Sequence, residues 1–249
     1  MLIDLKVDPY AYCFSSVLRL VDFSEASVFA ALTKWLWECR SHHEEHKNCP
    51  VGVDSVLPKR VLDLGERKTD RIKLHLSEPL QHGRYVALSY CWGGPQQLLT
   101  TTDTMNSHLE GISFKLFPKT IKDAIIVARK LGIRYLWVDA LCIIQDDDLD
   151  KQKEIDSMGE LYKNSTVTIS AAKAKRVTDG FLDLIVPWNI CRLPFTLEDR
   201  YYGSMWLTEK ASREAKASEP LLTRGWAFQE LHLPLKSRSS LPYMYNPVL

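Results

Sequence analysis

Residues with the right chemistry for a site fall into three short stretches of this chain. The first is Ser89-Tyr90-Cys91-Trp92-Gly93-Gly94, a hydroxyl, a thiol and two aromatics running into a glycine pair. The second is Asp139-Ala140-Leu141-Cys142-Ile143-Ile144-Gln145, an acid and an amide bracketing an apolar run. The third is Glu154, inside a polar segment that follows Asp146-Asp147-Asp148. A carboxylate beside an aromatic and an amide can orient a hydroxylated ligand or stabilise a developing positive centre. Each group also has a structural reading. Asp139 can cap a loop by accepting backbone N–H groups. Glu154 early in a helix is favoured by the dipole alone. Neighbouring carboxylates such as 146–148 converge poorly on a metal and read as a solvated helix start.

Elements able to position these groups are visible in the pattern. Tyr85 to Tyr90 is a continuous apolar run closed by turn residues, as in a strand buried on both faces. Pro118 to Leu131 carries Ile121, Ala124, Ile125, Ala128 and Leu131 at helical spacing, with proline at its start and Gly132 at its end. Residues 134–138 form a second buried strand and 150–163 a second helix, with Ile155, Met158 and Tyr162 facing inward. Residues 166–172 form a third strand, rich in β-branched side chains. This βαβαβ order predicts a doubly wound α/β core with parallel strands. Ligands in such sheets bind beyond the carboxyl ends of the strands. Ser89 to Gly94, Asp139 to Gln145 and Ala171–Ala172 are all expected on that edge.

Additions flank the core. Val28, Ala31, Leu32, Trp35, Leu36 and Cys39 predict a helix starting after Ser24. Residues 60–64 and 71–76 read as half-buried strands, 94–117 as an irregular loop over the site, and 193–197 with 200–207 as an antiparallel pair. A helix is expected to start within 221–231. Cys39, His42, His43, His46 and Cys49 invite a zinc reading, but their spacing fits no standard finger, and a polar helix end is the reading adopted.

Composition narrows the function classes. The 249 residues are 45% hydrophobic and 25% charged, with a net charge of +1. That balance gives no electrostatic footprint for nucleic acid. No apolar run is long enough to span a bilayer. Six cysteines in a chain of this length do not make a disulfide scaffold, so a cytoplasmic location is expected. The nucleophile elbow, the dinucleotide fingerprint and the phosphate loop are all missing. Cys91 has no histidine assigned to it by sequence.

Four blocks in order resemble the heterokaryon-incompatibility (HET) domain of fungal proteins. They are Tyr85 to Gly94, Leu131 to Asp146, Glu154-x-x-x-Met158-x-x-x-Tyr162, and Arg224 to Glu230. On this resemblance the domain spans 60–233, behind an N-terminal helical leader at 1–59 and before a divergent tail at 234–249. Lys151 stands where the family pattern has tryptophan. The resemblance implies self/non-self recognition and programmed cell death, through partner proteins or regulated self-association. It also implies a distant likeness to the flavodoxin/TIR-like sheet, some of whose members cleave NAD using a glutamate matched here by Glu154. NAD is then the expected substrate. Asp139 would assist, with Ser89, Tyr90, Trp92, Gly93, Gly94, Gln145, Arg224, Trp226, Gln229 and Glu230 lining the ligand site. An inactive, truncated copy is the remaining alternative.

Overall fold

A computed structural model describes residues 26–41, 54–65, 69–183, 190–197, 201–208 and 220–223. The core is a mixed sheet of six strands: β2 (Arg60–Asp63), β3 (Arg71–Leu76), β5 (Tyr85–Ser89), β6 (Ile112–Ser113), β7 (Tyr135–Trp137) and β8 (Val167–Ser170). Two further pairs stand apart from it. β1 (Ser55–Val56) pairs with β4 (His82–Gly83), and β9 (Ile190–Leu197) pairs with β10 (Tyr201–Thr208), both antiparallel.

Strand order in the large sheet is β6-β3-β2-β7-β5-β8. β5 pairs in parallel with β7 on one side and with β8 on the other. The predicted parallel core is therefore present, with the first strand in the middle. β2, β3 and β6 extend it through antiparallel pairings. The sheet as a whole is thus mixed rather than purely parallel.

The helix α3 (Lys119–Lys130) connects β5 to β7, and α5 (Asp148–Asn164) connects β7 to β8. The first crossover steps from β5 to β7 and the second runs back past β5 to β8, in the opposite direction across the sheet, so the right-handed rule puts their helices on opposite faces. Burial of β5 on both sides follows, and all five of its residues are buried. On α3 the expected stripe is seated: Ile121, Ala124, Ile125 and Ala128 have no exposed surface. α5 is tied down through tyrosines. Tyr85 Oη donates to the Leu161 carbonyl at 2.5 Å, and Tyr162 Oη donates to the Leu88 carbonyl at 3.3 Å. Burial pushes the Tyr85 phenol well above its ordinary range.

Several local expectations are corrected. β2 is buried rather than half-buried, because β3 and β7 pair with both its edges; only β3 alternates. The span 94–117 contains α2 (Met105–Glu110), β6 and a short 3-10 turn. Its anchor is Thr100, whose hydroxyl donates to the Leu141 carbonyl at 2.7 Å and meets His108 Nδ1 at 2.9 Å. Asp139 starts a one-turn helix, α4 (Asp139–Cys142), instead of ending a strand. In the helix α1 (Ala26–Ser41) Phe29 and Leu36 are buried while Ala31 is exposed, so the apolar stripe is rotated toward Phe29. At 220–223 the chain forms a 3-10 turn. Ser24, His42, His43, His46, Cys49 and residues 224–249 lie outside the described residues.

Leu80 takes φ 61°, the one non-glycine with positive φ among the described residues, and is 77% exposed. Gln81 N–H closes this turn onto the Glu78 carbonyl at 3.0 Å. A β-carbon in the left-handed region costs about 1–2 kcal/mol, of which glycine recovers part after its own unfolded-state entropy. Leu80→Gly is expected to raise the unfolding free energy by about 0.5–1 kcal/mol in urea titration.

Candidate functional site

The carboxyl ends of β7, β5 and β8 form one rim, and the groups that reach it come from neighbouring loops. Trp92 leaves β5 and its Nε1 donates to Asp139 Oδ2 at 2.8 Å. Asp139 Oδ1 accepts the Ala140 amide at 2.6 Å. Gln145 Nε2 donates to the carbonyls of Asp139 at 3.0 Å and Ile143 at 3.1 Å. Trp92, Asp139 and Gln145 are therefore brought together, as a bridge between the tips of β5 and β7.

Ser89 and Ser170 are register partners at the ends of β5 and β8. Gly93 and Gly94 follow with φ 70° and 143°. The segment after β8 closes over this turn: Val177 N–H donates to the Trp92 carbonyl at 3.2 Å. Tyr90 and Cys91 are buried behind it.

Glu154 occupies a different part of the rim. β2 runs antiparallel to β7 with Leu62 opposite Leu136, so its first residue, Arg60, is level with Val138. Arg60 is only 1% exposed, and its guanidinium holds two buried carboxylates of α5. Nη2 contacts Asp150 Oδ2 and stands 3.2 Å from Glu154 Oε1. Nε donates to the Cys142 carbonyl at 2.6 Å. Lys59 Nζ reaches Asp150 Oδ1 at 2.7 Å, and the Ile144 amide donates to Asp150 Oδ2 at 3.2 Å. Two cations thus face two carboxylates, in line with the rule that buried charges are paired.

The two acids respond differently to this shared setting. Burial pushes the Glu154 carboxyl above its ordinary value and outweighs the attraction of Arg60. Burial acts the same way on Asp150, but Lys59, the Ile144 amide and Arg60 together hold it below the ordinary value. Cys142 is pushed up to about 12, mainly by burial, with Glu154 and Asp139 both contributing. It is an inert thiol rather than a nucleophile.

A pH dependence follows. Folded Glu154 holds its proton more tightly than the unfolded chain does. Its contribution to stability is therefore present below the unfolded value of 4.5 and lost as pH rises through the folded one. Asp150 has the opposite sign, stabilising above 3.8 and losing that contribution as pH falls through its depressed folded value. Glu154→Gln removes only the first. Urea titrations across pH 4 to 7 should show the variant gaining on the wild type as pH rises from about 4.5. A difference independent of pH would overturn the assignment.

Geometry shows what the acidic run 146–148 does. Asp146 accepts the Thr102 amide at 2.9 Å and hydroxyl at 2.7 Å, and Asp147 caps α5 by accepting from Leu149 and Asp150 amides. Asp148 sits in the first turn. The run is thus a helix start, and no metal-holding cluster occurs among the described residues.

The sequence pattern described as Heterokaryon incompatibility protein (HET) matches residues 85–230. The chain belongs to this family. No curated protein and no solved structure matches it. The HET match starts at β5, so β2 and β3, two of the six strands of the large sheet, lie upstream of it. Arg60 lies in that upstream part and yet holds Glu154 from inside the match. Sequence reading missed Arg60 and Asp150 as site residues. The one signal was a charged residue opening an apolar strand, Arg60 before Val61 and Leu62. Within the match, Arg224, Trp226, Gln229 and Glu230 lie outside the described residues. Among the described residues no helix is long and apolar enough to cross a membrane.

Proposed function

We propose that this HET domain acts in fungal self/non-self recognition, in the cytoplasm, as a cell-death signalling module whose output is regulated self-association. The observation that supports this reading is the employment of its acids. Glu154 and Asp150 are engaged with Arg60, and Asp139 with Trp92, so the carboxylates best suited to chemistry already serve as struts. A fold kinship with flavodoxin/TIR-like domains is supported by the second-first-third order of the parallel strands.

One observation favours a second reading, cleavage of NAD. Glu154 is a buried carboxyl held above its ordinary value at the rim where doubly wound sheets bind ligands. Purified protein should be sedimented over a wide concentration range and, in parallel, incubated with NAD while nicotinamide is followed. Concentration-dependent assembly without nicotinamide release is the expected result. A protein that stays monomeric and releases nicotinamide, with turnover abolished in Glu154→Gln, would replace the first reading with the second.

A further inference from the structure

We infer that self-association runs through a closed two-fold dimer, in which the rim at the carboxyl end of the sheet meets the same rim of a second copy. The inference rests on the self-association reading and names the surface that serves it. Charge of both signs stands at this end of the sheet, sorted to opposite sides of β5.

The acidic side follows β7. Asp146, Asp147 and Asp148 lead into α5, and the bonds from Thr102 to Asp146 bring Asp103 alongside them. Asp103, Asp146 and Asp148 are exposed, and none of the four acids forms an ion pair among the described residues. Leu149, 76% exposed, comes next in the chain.

The cationic side follows β8. Lys173, Lys175 and Arg176 are exposed, and they too form no ion pair among the described residues. The glycine turn after β5 fixes their place: a β-carbon on Gly93 would come 2.5 Å from the Arg176 Cα and 2.6 Å from the Lys175 carbonyl oxygen. From there the chain runs to α3, where the Thr120 amide donates to the Val177 carbonyl at 2.9 Å. α3 and α5 cover opposite faces of the sheet, so cations and acids flank the tip of β5 on opposite sides. Asp179 tempers the first set and Lys151 with Lys153 the second, and neither is cancelled.

A rim with this pattern is complementary to itself. A two-fold axis through the tip of β5 sets the cations of each copy against the acids of the other, as an isologous contact requires. Exposed ion pairs alone hold two copies weakly, and Leu149 adds apolar surface to bury. The net charge of +1 leaves no whole-chain repulsion to oppose the encounter.

The test is sedimentation of the full chain at low and high salt, beside variants with reversed charge. Asp103, Asp148, Lys173 and Lys175 are the positions to change, because their exposed side chains hold no hydrogen bond among the described residues. Melting curves check that each variant folds. The wild type is expected to reach a dimer, to grow no further with concentration, and to dissociate as salt rises. Asp103→Lys with Asp148→Lys should weaken the dimer about tenfold or more, and so should Lys173→Glu with Lys175→Glu. An equal mixture of the two variants should dimerise again, since a rim made cationic then meets one made acidic. The interface is overturned if the wild type assembles and neither variant weakens it, if the mixture fails to recover, or if assembly grows as an open series. A wild type that stays monomeric at every concentration in low salt overturns the self-association reading itself, and this interface with it.

Discussion

Arg60→Met is expected to cost about 3–5 kcal/mol of unfolding free energy, because it strands two carboxylates in the protein interior. Asp150 and Glu154 are 5% and 6% exposed, and the guanidinium between them is what makes that burial tolerable. Lys59 softens the loss for Asp150, which it reaches from a 60% exposed position. Among the described residues Glu154 has no second ion pair, only the lesser attraction of Lys59. With Arg60 gone, its carboxyl rises further, and the variant should be worst at neutral pH and recover toward pH 5 as Glu154 takes up a proton. Chemical denaturation at the two pH values separates this from simple loss of packing, which has no pH dependence. A companion variant with Arg60→Met, Asp150→Leu and Glu154→Met should regain most of the loss, since an apolar replacement of a whole buried ion cluster is often neutral. Failure of the triple variant to recover would mean that the cluster specifies how α5 docks on β2 rather than merely neutralising charge.

Arg60 also marks where sequence reading stopped. The crossover unit was legible because its signals are local: period 3.6 in α3, the continuous apolar run of β5 and the β-branched run of β8 each announce their own element. The strand order and the mixed character of the sheet were not, because they depend on which edges pair, and nothing local in Arg60 to Asp63 says that β7 will lie beside it antiparallel. The same limit applies to the site. Ser89, Asp139 and Trp92 could be placed on one rim from strand ends alone. That Glu154 would be captured by a residue 94 positions upstream requires the pairing that carries Arg60 to the level of Val138. The span 94–117 reads as loop in the sequence because its helix has only six residues and its anchor, Thr100 on Leu141, is a contact across 41 positions.

Gly93→Ala should be the second severe change, at about 3 kcal/mol or more, and Gly94→Ala its internal control. Both glycines have positive φ, 70° and 143°, so either substitution meets the backbone cost of placing a β-carbon where L-residues rarely go, about 1–2 kcal/mol. Only at Gly93 does the new carbon also collide. It would lie 2.5 Å from the Arg176 Cα and 2.6 Å from the Lys175 carbonyl oxygen, backbone atoms that cannot rotate away. Overpacking of that kind adds about 1–3 kcal/mol. The segment 175–177 would have to lift, breaking the Val177 bond to the Trp92 carbonyl and loosening the Thr120 amide bond to the Val177 carbonyl that anchors it on α3. Native-state hydrogen exchange would detect this directly: in Gly93→Ala the amides of Thr120 and Val177 should lose protection, while in Gly94→Ala they should keep it. Equal losses in both variants would show that dihedral strain alone governs the turn, and that the β8 segment does not rest on Gly93.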